Sequence, residues 1–92
     1  MLIALDYDDT YTVDPKCWNR VIAILLQAGH KVIVATSRFK LLESEREIIE
    51  ATGLQVIFCN HNAKSEVLKK LGVFPDVWID DNPWSIVGVE KT

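Results

Sequence analysis

The sequence lacks several features that would place a chain directly in a class. No apolar run approaches the roughly 20 residues that a membrane-spanning helix needs, and acidic residues follow Leu2 to Leu5 too soon for a signal peptide. The two cysteines, Cys17 and Cys59, have no C-x-x-C spacing, which argues against a zinc or redox motif and suits a reducing compartment. We therefore expect a cytoplasmic protein that engages no membrane.

An excess of charge of one sign is also absent. The formal net charge is −3, from 10 Lys and Arg against 13 Asp and Glu, so the composition gives no basic surface that would indicate a nucleic-acid partner. A weak acidic balance does not exclude such a partner. The chain does have 49% hydrophobic residues, which suffices for one compact core, and we predict a single domain over residues 1–92.

Short apolar runs alternate with helical patterns along the chain. The predicted strands are Leu2–Leu5, Lys31–Thr36, Gln55–Cys59 and Val77–Ile79. Helices are expected between them, with starts near Asp14-Pro15, Leu41 and Asn62 and ends at Gly29, Gly53 and Gly72. This alternation predicts an α/β fold, a three-layer Rossmann-like sandwich around a central, mainly parallel sheet of four to five strands. The tail from Trp84 to Val89 fits either a fifth strand or a short turn.

Helical spacing also predicts which side chains pack into the core. In the first helix these are Trp18, Val21, Ile22, Leu25 and Leu26. In the second helix they are Leu41, Leu42, Ile48 and Ile49. Trp84 follows Asp81-Asn82-Pro83 closely and could border a site or a subunit contact, although packing is the favoured interpretation.

The carboxyl ends of the first, second and fourth predicted strands carry clustered polar residues. They are Asp6, Asp8 and Asp9, then Thr36, Ser37 and Arg38, then Asp80 and Asp81. In a parallel sheet all of them emerge at one edge, where ligands bind in this class of fold. Up to five carboxylates crowded there need a neutralising cation, and hard oxygen ligands without His or Cys point to Mg²⁺. Aspartates also end strands because they favour turns, but two clusters at the same edge favour a site.

Lys64 departs from a local rule. It lies in the first turn of its predicted helix, where the macrodipole disfavours a cation. A solvated lysine would tolerate this position at a small cost. Beside a cluster of carboxylates that needs a neutralising cation, a functional role is the better hypothesis.

These residues match a known family in order. Asp6 to Thr10 (DYDDT) resembles the D-x-D-x-T motif of haloacid dehalogenase-like (HAD-like) phosphatases, and Thr36 resembles their second motif. Lys64 resembles the third motif and Asp80-Asp81 the acidic fourth motif in its DD form. Response-regulator receivers also combine clustered aspartates with a Thr or Ser and a Lys, but they place them in a different order.

The resemblance implies a Mg²⁺-dependent phosphomonoester hydrolase. Asp6 would be the nucleophile and form an aspartyl-phosphate, while Asp8 would act as general acid and then as general base. The metal ligands would be Asp6, the backbone carbonyl of Asp8 and an acid from the fourth motif, with Asp81 as direct ligand and Asp80 as its support. Thr36 would donate a hydrogen bond to a phosphoryl oxygen, and Lys64 would neutralise charge on the phosphoryl group.

The resemblance also bears on the substrate. Arg38 is a further candidate for substrate binding, because Thr-Ser-Arg is similar to the run in some polynucleotide 3′-phosphatases of the superfamily. Only Tyr11 to Asp14 separate the first motif from the first helix, so we expect no cap domain. Capless relatives often act on macromolecules or borrow a lid from a neighbouring subunit, which favours a nucleotide or nucleic-acid end as substrate and allows a homo-oligomer. A sugar phosphatase, a phosphotransferase and a catalytically weak binding or scaffold module remain alternatives.

Overall fold

In the computed structural model, which describes residues 1–88, strands and helices alternate along the chain. The strands are β1 (Leu2–Leu5), β2 (Lys31–Thr36), β3 (Val56–Phe58) and β4 (Val77–Ile79). The helices are α1 (Pro15–Gln27), α2 (Leu42–Thr52), α3 (Lys64–Lys70) and α4 (Trp84–Val87), and a 3-10 turn (Tyr11–Val13) precedes α1. None of the helices within residues 1–88 is long and apolar enough to span a bilayer.

The four strands form one parallel sheet in the order β3-β2-β1-β4. Leu5 lies opposite Val34 on one side and opposite Ile79 on the other, so β1 is a central strand. The predicted Rossmann-like α/β class with a parallel sheet is therefore confirmed. The open choice for the tail is resolved over residues 84–87, which form a helix and not a fifth strand; Val89 lies outside the described residues.

Two buried clusters cover the two faces of the sheet. Ile3 and Leu5 of β1 pack in one cluster with Ile22 of α1 and Ile48 of α2. Ala4, which points to the opposite face, packs in the other cluster with Leu68 of α3. Helices thus lie on both faces, and this is why the strands are largely apolar along their whole length.

The ends of the helices follow the sequence signals at two positions and depart from them at a third. The carboxylate of Asp14 accepts a hydrogen bond from the amide of Cys17, and Pro15 occupies the first helical position of α1. Gly53 ends α2 in the left-handed conformation, at φ 69°. The predicted cap at Asn62 is wrong, because α3 begins at Lys64 with Ala63 at the cap position and no side-chain cap.

The buried face of α2 differs from the predicted one. Leu41, Leu42 and Ile49 are 62%, 66% and 45% exposed, and only Ile48 is fully buried. Successive residues of a helix are about 100° apart around its axis, so the side chains of Ile48 and Ile49 diverge. The core-facing stripe runs through Ile48 towards Ala51, which leaves the neighbouring apolar stripe in contact with solvent.

Candidate active site

Backbone pairing beyond the strands brings the first and fourth clusters together. The amide of Asp6 donates to the carbonyl of Ile79 at 2.9 Å, which extends the parallel pairing of β1 and β4 by one residue. Asp6 and Asp80 therefore leave neighbouring strands side by side. The amide of Cys59 donates to the carbonyl of Thr36 at 2.8 Å and extends the pairing of β2 and β3 in the same way. The predicted meeting of the strand ends at one edge is confirmed.

Lys64 is the most deeply buried charged residue of this edge. Its Nζ lies 2.8 Å from Oδ1 of Asp6 and 2.6 Å from Oδ2 of Asp80, and its side chain is only 1% exposed. Burial alone would lower the pKa of Lys64, but the two carboxylates raise it by more, so its pKa lies above the ordinary value. The ammonium group thus remains charged, and the two carboxylates explain a cation at the start of α3, where the macrodipole disfavours it.

The carboxyl group of Asp6 has a raised pKa. Burial raises its pKa to about 6 from 3.8, although Lys64 acts in the opposite direction. Burial outweighs the effect of the lysine on this pKa, and the neighbouring carboxylates of Asp81 and Asp80 raise the pKa further. An additional cation at this position would favour the ionised carboxylate that a nucleophile requires.

Thr10 connects the first motif to the fourth. Its hydroxyl lies 3.0 Å from Oδ2 of Asp6 and 3.2 Å from Oδ1 of Asp81, and it can donate to either carboxylate. The same oxygen accepts a hydrogen bond from the amide of Asp81 at 3.2 Å. Thr10 has no predicted role in the sequence analysis. Its position as the last residue of the D-x-D-x-T pattern was the signal that could have identified it as part of the site.

Three carboxylates are placed to share a cation. Asp6, Asp80 and Asp81 each offer an oxygen, and these oxygens lie within 4.8 Å of one another. The set contains only hard oxygen donors, which are the ligands that divalent cations such as Mg²⁺ and Ca²⁺ prefer. The oxygens of Asp80 are also engaged by Lys64 and by the amide of Asn82, whereas Asp81 is exposed. The three residues could therefore hold a divalent metal ion, with Asp81 as the freer ligand.

Asp8, the fourth predicted ligand, is oriented differently. Its carboxylate lies outside the three-carboxylate group and receives two hydrogen bonds from Arg38, from Nε at 2.8 Å and from Nη2 at 2.7 Å. Among residues 1–88 no amide donates to its backbone carbonyl, which is the atom proposed for metal binding. Asp8 still borders the small pocket of about 150 Å³ that Asp6 and Lys64 line.

Arg38 is thus hydrogen-bonded to Asp8, the predicted general acid. Its guanidinium also contacts Glu47 at 3.3 Å and lies 5.2 Å from the ring centre of Tyr7. The forked geometry matches a carboxylate in the way that it would match a phosphate. Sequence reasoning missed the pair because Asp8 and Arg38 are 30 positions apart and belong to separate loops.

Thr36 and Ser37 occupy different depths. Thr36 is 1% exposed, and its Oγ1 accepts a hydrogen bond from the amide of Arg38 at 3.2 Å. Ser37 lines the small pocket. The hydroxyl proton of Thr36 is left for a second partner, so its predicted hydrogen bond to a phosphoryl oxygen stays a prediction. Of Thr36 and Ser37, it is Ser37 that the structure brings to the surface of the pocket.

Comparison with known proteins adds no family assignment: no protein-family model, no curated protein and no solved structure matches this chain significantly. The interpretation of the site accordingly depends on its own residues and geometry.

Proposed function

We propose that this chain is a HAD-like phosphomonoester hydrolase that uses Asp6 as its nucleophile and Mg²⁺ as its cofactor. The observation that supports this most strongly is the buried Lys64, which bridges Asp6 and Asp80 beside the exposed Asp81. A structural ion pair needs only one carboxylate for one lysine. Two carboxylates on the lysine and a third beside them leave net negative charge at the pocket. A divalent cation would offset this charge, so that an anionic phosphoryl group could approach.

The nucleophilic step follows from the position of Asp6. A carboxylate oxygen of Asp6 would attack phosphorus, the bond to the leaving oxygen would break, and an aspartyl-phosphate would form. Lys64 would remain at the site to offset the charge of the phosphoryl oxygens. When bound, Mg²⁺ would be held by Asp6, Asp81 and the carbonyl of Asp8, with Asp80 as support, and would offset the repulsion between two anions.

Asp8 would handle the protons. It would give a proton to the leaving oxygen and later take one from the water that hydrolyses the aspartyl-phosphate. The carboxylate borders the pocket, and both of its oxygens accept hydrogen bonds from Arg38. One of these bonds would have to open before that oxygen could carry the proton. Thr36, with its oxygen already accepting from the amide of Arg38, would donate its hydroxyl proton to a phosphoryl oxygen.

The surroundings of the first motif support the absence of a cap domain. The 3-10 turn Tyr11–Val13 and α1 follow the motif directly, and α2 follows β2 after a five-residue loop over residues 37–41. Without a cap the pocket would stay open to water and to large substrates. We propose a nucleotide or nucleic-acid end as the substrate class, and we propose that the protein acts in the cytoplasm.

The test is hydrolysis of p-nitrophenyl phosphate by the wild type, Asp6→Asn and Glu50→Gln, each with Mg²⁺ and with EDTA. Glu50→Gln is the matched control, because it removes an exposed carboxylate on α2. We expect Mg²⁺-dependent turnover by the wild type and the control, and a loss of about a thousandfold or more in Asp6→Asn. Equal activity of Asp6→Asn and wild type would refute the mechanism.

A wild type that is inactive on this reporter calls for a second measurement. Beryllium trifluoride should bind Asp6 as a phosphoryl mimic in the presence of Mg²⁺, and ¹⁹F NMR would detect it. Binding in the wild type and not in Asp6→Asn would identify a selective enzyme. No binding in either protein would favour a scaffold module and would end the proposal.

A further inference from the structure

A second, larger cavity adjoins the small pocket. It is an open cleft of about 950 Å³. Ser37, Asp81, Asn82 and Ser85 line both the cleft and the small pocket. A phosphoryl group held in the small pocket, beside Asp6 and Lys64, would therefore have its leaving group directed either to solvent or into this cleft. The volume lies in the range of small-molecule sites.

The walls of the cleft are held in place. One wall is the loop before α3, which contributes His61 and Asn62, and the other is α4, which contributes Trp84. The hydroxyl of Ser65 donates to the carbonyl of Ile86 at 2.6 Å and fastens α4 to α3.

Gly88 allows the same two helices to approach closely. It ends α4 with φ 75°, and a Cβ atom there would lie 2.8 Å from the Cβ of Ala63. A side chain at position 88 would therefore push α4 away from the start of α3. The wall that carries Trp84 is thus part of the packed structure.

The chemistry of the cleft distinguishes between possible leaving groups. Of the ten lining residues, all within residues 1–88, none is Lys or Arg, and Asp81 is an acid. A polyanionic strand would need cations along its path. Trp84 is 42% exposed and offers an indole face, while Asn62 and Ser37 offer hydrogen-bonding groups. An uncharged, planar group with hydrogen-bonding edges suits these partners.

We propose that this cleft binds the leaving group of the substrate and that the leaving group is a single nucleoside, which stacks on Trp84. A nucleic-acid strand and an aliphatic polyol fit the same lining less well. The inference rests on the proposed function, since it assigns a binding site to the part of the substrate that remains after the phosphoryl group is transferred to Asp6.

The test compares kcat/KM for AMP, for glycerol 2-phosphate and for an oligonucleotide that carries a terminal phosphate. It uses the wild type, Trp84→Ala, Trp84→Phe and Phe74→Ala, the last a control that removes an exposed aromatic ring outside the cleft. We expect the wild type to prefer AMP over glycerol 2-phosphate by about tenfold or more, the effect of one base-stacking ring. Trp84→Ala should remove this preference, whereas Trp84→Phe and Phe74→Ala should retain it.

The outcomes separate this inference from the proposed function. Hydrolysis of glycerol 2-phosphate as fast as AMP, with a ratio that Trp84→Ala does not change, would overturn the nucleoside site and leave the phosphatase intact. Preference for the oligonucleotide, with a steep loss of kcat/KM between about 50 and about 200 mM salt, would assign the cleft to a strand instead. No hydrolysis of any substrate and no beryllium trifluoride binding would overturn both. Thermal melting checks that each variant is folded.

Discussion

Replacement of Lys64 by methionine would remove the ammonium group and keep a side chain of similar length and apolar character. The two carboxylates that it pairs with, Asp6 and Asp80, have side chains only 8% and 3% exposed. Without the lysine they would be buried together with no cation. Removal of one partner of a buried pair costs about 3–5 kcal/mol, because an uncompensated charge remains.

This cost is large for a chain of 92 residues. At about 0.05–0.15 kcal/mol per residue, its whole free energy of unfolding is about 5–14 kcal/mol. Lys64→Met should therefore remove at least about a fifth of the stability at neutral pH without metal. Acidification should reduce the loss, because protonated carboxylates need no partner. Mg²⁺ should also reduce it, because a cation bound between the carboxylates replaces the missing charge.

Urea unfolding monitored by tryptophan fluorescence would measure this effect, at pH 7 and at pH 5, with EDTA and with Mg²⁺. Lys69→Met is the control, since it removes an exposed lysine of the same helix and should change stability by about 0.5 kcal/mol or less. If Lys64→Met costs less than about 1 kcal/mol at pH 7 in EDTA, then Lys64 is not the ion that neutralises the buried carboxylates. A loss that is the same at both pH values would point to lost packing instead.

Three further predictions concern the same edge of the sheet. The folded-state pKa of Asp6, about 6, exceeds 3.8, so its contribution to stability is complete below about pH 4 and is lost as the pH rises through about 6. In metal-free buffer the free energy of unfolding of wild type minus that of Asp6→Asn should therefore fall between these pH values, and a constant difference would contradict the assignment. Thr36→Val should lower kcat/KM for p-nitrophenyl phosphate by about tenfold or more, because it removes the hydroxyl proposed to donate to a phosphoryl oxygen in the transition state. Ser37→Ala should lower kcat/KM by less, and the opposite order would assign the donor role to Ser37. Arg38→Gln should lower the free energy of unfolding in urea by less than about 1 kcal/mol, because the side chains of Arg38 and Asp8 are 28% and 46% exposed. A loss near that of Lys64→Met would show that burial does not explain why the two ion pairs differ in strength.

The parts of the fold that the sequence predicted are those encoded by local signals. The Asp14-Pro15 start of α1 and the glycine end of α2 each depend on backbone geometry within a few residues. The buried face of α2 depends instead on how the helix is rotated over the sheet, which the spacing of Leu42 and Ile49 does not determine. The helix at Trp84–Val87 is likewise held by contacts with α3.

The candidate site shows the same division. The meeting of Asp6, Lys64 and Asp80 was predictable, because parallel strands and an unfavourably placed lysine both pointed to one edge. The pair between Asp8 and Arg38 was not, because it joins two loops whose separation is set only in three dimensions. The assignment of a chemical role to each residue remains a prediction.

The strand order has a consequence for synthesis of the chain on the ribosome. β1 is made first but lies between β2 and β4, and β4 is the last strand to emerge. Until residues 77–79 leave the ribosome, one edge of β1 has unpaired amides and carbonyls, which can pair with another chain. Asp80 and Asp81 appear later still, so a chain cut short before them would hold Asp6 and Lys64 without the rest of the site. Incomplete copies would thus be prone to associate, and only a chain that includes residues 80 and 81 would bring the three carboxylates together.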